Sequence, residues 1–103
     1  MDYQLEVTAA ARMDILEAIE YYTAGKSGLG SDFFAASQKT FHTLAAQPKL
    51  FQLIGKKAKV RKAKLPVFPY HVFFQVKERP KRVIVLAVLH EKRQPAVWKS
   101  RLD

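Results

Sequence analysis

Groups that can move protons or hold a polyanion crowd the second half of this chain: Lys56, Lys57, Lys59, Arg61, Tyr70, His71, His90, Glu91 and Arg93. Histidine, lysine, tyrosine and glutamate can carry protons, and arginine or lysine can hold a phosphoryl oxygen. A metal-free ribonuclease needs both kinds. It must deprotonate a ribose 2′-OH, protonate the leaving 5′-oxygen and offset charge on the phosphate. His90 is the candidate proton carrier, because it ends an apolar run where a side chain can face a concave surface, and Arg61 and Arg93 are candidate anion holders. Each has a plainer reading. His90 can simply hydrogen-bond a backbone carbonyl at a strand end, and Arg61 can tie the sheet to a helix through an acid such as Glu20. His71 alternates with Tyr70 and Val72 and can point outward, with no partner that the sequence names.

Lys62 and Lys64 continue the cationic run, and Trp98 and Arg101 close the chain. The run from Lys56 to Lys64 reads either as a surface for a polyanion or a partner protein, or as a solvated edge strand that lysines protect from aggregation. Trp98 reads either as a lid over the core or as a binding face. The chain has no cysteine, no HExxH motif and no carboxylate cluster, so neither a metal nor a cofactor is expected.

Charge is divided sharply along the chain. Residues 1–47 carry three basic and six acidic side chains, and residues 48–103 carry fifteen and three, within a total net charge of +9. Such a cationic half draws a polyanion or an acidic partner. At 103 residues and 49% apolar content, one domain spanning 1–103 is expected, with a single core. The N-terminus has acids and no apolar core, so it does not read as a signal peptide. The longest apolar run, Val83 to Leu89, falls far short of the ~20 residues of a membrane helix. The expected setting is the cytoplasm, with no membrane partner.

The elements that position these groups follow from period and punctuation. Tyr3 to Val7 alternates as a short strand, and Thr8 stands at a helix N-cap position. Ala11, Ile15, Ile19 and Tyr22 then form a helical stripe with Leu16 beside it, and Gly25 stops the helix. A second helix from about Ser31 aligns Phe34, Phe41, Leu44 and Ala45 inward, with Phe33 adjacent, and ends before Pro48. Val60–Leu65, Tyr70–Lys77 and Arg82–Leu89 read as strands, the last apolar at every position as in a central strand covered on both faces. Gln94-Pro95 can start a final helical turn. The fold class is therefore α+β: an N-terminal strand and an antiparallel helical hairpin packed on a twisted, mainly antiparallel sheet of about four strands.

This order, joined to particular residues, resembles the RelE/ParE superfamily of bacterial type II toxins. The matching residues are Ala11, Asp14-Ile15, Ile19-Glu20-Tyr21-Tyr22, Phe34, Phe41, Leu44, Pro48, Val60-Arg61, Phe68-Pro69-Tyr70, Val83 to His90, Arg93-Gln94-Pro95, Trp98 and Arg101. Tyr21-Tyr22 and the closing tail look more like the ParE branch. The resemblance implies a toxin of a plasmid-stabilisation module, neutralised by a cognate antitoxin and inhibiting DNA gyrase by binding, without a hydrolytic step of its own. The alternative is a ribosome-dependent mRNA endonuclease of RelE type, with ribosome and mRNA as partners, and a further one is a non-toxic nucleic-acid-binding relative. The surface for target or antitoxin is expected at Lys56, Lys57, Lys59, Arg61, Lys62, Lys64, Arg93, Trp98 and Arg101. Trp98 and Arg101, three residues apart, are expected on one side of the last turn. Arg101, near the terminus, is expected to matter for toxicity and little for stability.

Overall fold

A computed structural model describes residues 2–55, 57–92 and 96–102. Strand β1 (Gln4–Val7) leads into helix α1 (Ala9–Gly25), where the Thr8 hydroxyl accepts from the Ala11 N–H at 3.1 Å. This bond satisfies one of the free donors at the helix start. Ala11, Ile15 and Ala18 are the buried positions of α1, and Ile19 and Tyr22 pack partly buried against the same core. Gly28, at φ 87, turns the chain in a conformation that glycine adopts without strain. Helix α2 (Leu29–Ala46) returns beside α1. A Cβ at Gly30 would come within 2.8 Å of the Ile19 carbonyl oxygen, so the two helices meet there almost backbone to backbone.

Helix α2 corrects one expectation. Phe33 is fully buried, whereas Phe34 is half exposed. Phe41 and Leu44 lie close to the angular position of either phenylalanine, so periodicity alone does not choose between them. Packing chooses Phe33, in one row with Ser37, Thr40, Phe41 and Leu44. The buried hydroxyls of that row are satisfied inside the helix: Ser37 donates to the Phe33 carbonyl and Thr40 to that of Ala36, each at 3.0 Å.

After a 3₁₀ turn (Pro48–Leu50) come β2 (Gln52–Gly55), β3 (Val60–Lys64), β4 (Tyr70–Glu78), β5 (Lys81–His90) and a short helix α3 (Ala96–Lys99). They form a five-stranded sheet in the order β1-β5-β4-β3-β2, with β1 parallel to β5 and the other pairs antiparallel. The strand that periodicity alone does not reveal is β2. Its presence moves the lysine-rich strand inward, because β2 is the edge and β3 lies between β2 and β4.

The sheet has two covered faces. Val72, Phe74, Val83, Val85 and Val88 pack with the helical hairpin, and Leu86, Ala87 and Leu89 pack with Trp98 on the other side. An extra residue in β5, Leu86, breaks the register between Phe73↔Ala87 and Phe74↔Val85 and lets both faces stay apolar. This arrangement explains the uninterrupted Val83–Leu89 run. No helix among the described residues is long and apolar enough to cross a membrane.

The C-terminus is tied back to the first helix. β1 pairs with β5 only as far as Val85, and two charged side chains cover the next backbone groups. Asp14 Oδ2 accepts from the Val88 N–H at 2.9 Å, and Arg101 donates to the Leu86 carbonyl at 3.0 Å. Arg101 also grips Asp14 with two bonds of 2.6 and 3.1 Å. The expectation that Arg101 contributes little to stability is therefore corrected: the residue is remote in sequence but joins α1, β5 and the tail in space.

Candidate functional site: the outer face of the sheet

Alternation along the strands decides which cations stand together. Lys62 pairs with Phe73, Lys64 with His71, His71 with Leu89 and Phe73 with Ala87, and directly opposed residues share a face. That face is the one turned away from the hairpin. Arg61, one residue along, pairs with Phe74 and points to the hairpin side.

On the outer face, a cavity of about 330 Å³ is lined by Ile54, Lys62, His71, Phe73, His90, Glu91, Trp98 and Lys99. Trp98 forms one wall. It is 5% exposed and stacks on Phe73 with ring centroids 5.9 Å apart and planes at 16°. β2 packs closely on the indole at Gly55, where a Cβ would lie 3.4 Å from it, in ordinary van der Waals contact. Lys99 Nζ stands 5.7 Å from the Trp98 ring centre, within the range of a cation–π contact. Trp98 thus serves as a lid over the core, and it also places Lys99 at the cavity rim.

Burial lowers the pKa of His71, and the positive charges of Lys62 and Lys64 lower it further, against an opposing pull from Glu91. The imidazole is therefore kept neutral at pH 7, able to accept a proton or a hydrogen bond. The consequence for stability has a definite sign. The unfolded chain, with an ordinary histidine pKa near 6.5, binds a proton before the folded chain does. Stability should therefore fall as pH drops through about 6.5, until the lower folded-state pKa is reached. Thermal melts across that range should show this slope, and His71→Gln should flatten it; an equal slope in the variant would remove His71 as its source.

The remaining candidate residues are dispersed by the fold. Lys56 and Arg93 lie outside the described residues. Lys57 is exposed in the turn between β2 and β3, and Lys59 lines a different cavity with Arg61, Lys49 and Glu78. Arg61 takes a structural role, though with a different partner from the expected Glu20. It donates to the Phe51 carbonyl at 2.8 Å and the Lys49 carbonyl at 3.4 Å, bracing the connection from α2 to the sheet. Lys64 Nζ donates to the carbonyls of Leu65 and Phe68 at 3.0 and 2.9 Å, holding the loop before β4.

His90 ends β5 beside Tyr70, with ring centroids 5.3 Å apart. Its Nδ1 accepts from the Lys92 N–H at 3.2 Å, so the neutral ring carries its proton on Nε2. The expected carbonyl partner is replaced by a backbone donor. Of the residues expected on the target surface, Lys62 and Trp98 line the outer cavity. Lys99 joins them unanticipated, because its position depends on how Trp98 docks.

Sequence and structure comparisons fit this architecture. The family model for the ParE toxin of the type II toxin–antitoxin system parDE matches residues 5–95. No curated protein matches by sequence. A toxin–antitoxin complex, RelBE2 of Mycobacterium tuberculosis, contains a similar chain with a TM-score of 0.64 at 16% identity, covering 87% of this chain and 99% of that one. The chromosomal ParDE system of P. aeruginosa gives 0.66 at 18% identity, covering 85% and 95%. A mutant of the E. coli toxin RelE in the free state gives 0.59 at 19% identity, covering 96% and 93%. These likenesses share the α+β fold, and with the family model extending over nearly all of the sheet and hairpin, the chain belongs to the ParE toxin family of type II toxin–antitoxin systems.

Proposed function

We propose that this toxin inhibits DNA gyrase by binding it, with the outer face around Lys62 and Lys99 as part of the contact, and that a cognate antitoxin neutralises it. The observation that carries the choice of binding over cleavage is that the expected anion holder Arg61 does not join the expected proton carrier His90. Arg61 is turned to the hairpin side and occupied by the carbonyls of Lys49 and Phe51, and His90 Nδ1 is occupied by the Lys92 N–H. The ParE family match supports the same reading.

Clustered cations favour an acidic antitoxin segment, because like charges brought together would cost several kcal/mol. Antitoxin affinity should accordingly fall as salt rises. Purified protein should inhibit gyrase supercoiling and leave mRNA intact in a translation-dependent cleavage assay. The double variant Lys62→Ala/Lys99→Ala should weaken that inhibition by about a hundredfold or more, since each lost charged contact contributes roughly 1.5–3 kcal/mol. His90→Ala should leave it largely intact. Unimpaired supercoiling at saturating protein would sink the gyrase reading.

Ribosome-dependent mRNA cleavage is the second reading, and one observation favours it: a neutral His71 shares the outer cavity with Lys62, His90 and Lys99. On that reading His71→Ala should reduce cleavage by roughly 10²–10⁴-fold, the usual contribution of a positioned base.

A further inference from the structure

A second cleft opens on the opposite side of the sheet, between α1 and the final residues of β5. It exists because β1 stops opposite Val85, leaving residues 86–90 of β5 without a neighbouring strand on that side. Main-chain groups alternate sides along a strand. Asp14 and Arg101 cover the Val88 N–H and the Leu86 carbonyl. The next groups on the same side, the Val88 carbonyl and the N–H and carbonyl of His90, have no strand paired with them among the described residues.

The walls of this cleft have a definite chemistry. Asp14 is fully engaged by Arg101 and Val88, whereas Glu17 is exposed and feels the Arg101 charge at longer range, without a direct ion pair among the described residues. Tyr21, 71% exposed, stands on the same helix face one turn further on, edge-on to Tyr22 at 5.2 Å. Tyr70 and His90 form the facing wall. The volume is about 180 Å³, below the roughly 300–1,000 Å³ of small-molecule sites and suited to one side chain. A carboxylate and aromatic rings around a small cavity attract a cation. An acidic side chain would be repelled by Glu17, and an apolar one would desolvate that carboxylate without offering it a hydrogen bond.

We propose that this cleft holds a lysine or arginine side chain of an extended peptide segment, laid beside residues 88–90 of β5, with its cation against Glu17 and between Tyr21 and the Tyr70–His90 pair. Main-chain bonds to the open strand edge would give the segment its direction, and the charged pocket would fix its register. The cleft and the outer cavity share His90 at the end of β5 but no other lining residue, and this inference does not depend on the choice of gyrase as target.

The test uses the full chain, ¹⁵N-labelled, titrated with the capped tripeptide Ac-Val-Arg-Val-NH₂ and with the same peptide carrying citrulline in place of arginine. The arginine peptide should shift the amide signals of Glu17, Tyr21 and residues 88–90. The citrulline peptide should bind at least about tenfold more weakly, the effect of one charged contact. Glu17→Gln, at an exposed position that leaves the fold intact, should weaken the arginine peptide by a similar factor. Absence of shifts at these positions at millimolar peptide, equal binding of the citrulline peptide, or unchanged binding by Glu17→Gln would each overturn the proposal.

Discussion

Arg101→Ala should lower the stability of this protein by roughly 2–4 kcal/mol, although the residue stands two positions from the C-terminus. The expected size lies between a hydrogen bond to a charged group, about 1.5–3 kcal/mol, and the roughly 3–5 kcal/mol for removing one partner of a buried ion pair. The Asp14 side chain is 8% exposed and that of Arg101 23%, so the pair is mostly shielded from solvent and salt. Losing Arg101 leaves the Asp14 carboxylate buried with one backbone donor and leaves the Leu86 carbonyl without its side-chain donor. The hydrogen bond to Asp14 holds the Arg101 pKa above its ordinary value despite partial burial, so the guanidinium stays charged throughout the neutral range. For a domain of this size the melting temperature should fall by roughly 10–25 °C. Asp14→Ala should cost a similar amount, and the double variant much less than the sum, because the two residues act as one unit. A melting point unchanged within a degree or two in Arg101→Ala would show that the tail is held by other contacts. Toxicity of this variant should be judged only beside its folded fraction.

Phe33→Ala should be at least as damaging, at roughly 3–5 kcal/mol, while its neighbour Phe34→Ala should change stability by about 1 kcal/mol or less. Phe33 is fully buried and touches three aromatic rings. It stacks on Tyr22 at 5.6 Å and meets Phe68 and Tyr70 edge-on at 5.1 and 4.9 Å. Removing it takes away area burial and these ring contacts together, and it leaves a cavity between the two helices and the loop before β4. The network also carries a half-buried polar link. The Tyr22 and Tyr70 hydroxyls are hydrogen-bonded, and burial raises the Tyr22 pKa. Chemical denaturation of the two alanine variants side by side would decide the matter. Equal losses would mean that the helix presents both rings to the core, contrary to the observed half exposure of Phe34.

The two phenylalanines also mark where sequence reasoning ends. Helix α1 was determined by the sequence, with its cap at Thr8, its stop at Gly25 and its apolar stripe, because these depend on neighbours within one or two turns. The central position of Val83–Leu89 was determined in the same way, since only a strand covered on both faces can be apolar throughout. The α+β class and the family likeness follow from these local signals in order. What residues 100° apart on a helix do relative to a sheet is not local, and the choice of Phe33 over Phe34 fell to the backbone approach at Gly30 and the small Ser37 and Thr40.

The site shows the same division. The cationic half and the alternation of β3 and β4 were legible, and they already separate Lys62 from Arg61 once the facing strand is known. Register supplies that knowledge, and register is a property of pairing between segments, not of either one. The fate of the charged residues was decided only in three dimensions. Arg101 meets Asp14 across 87 positions of chain, where Coulomb attraction and desolvation depend on distance and burial and not on spacing in sequence. The edge that the shorter β1 leaves open on β5 is likewise visible only once both strands are side by side, and it gives Asp14, Arg101 and Glu17 their places.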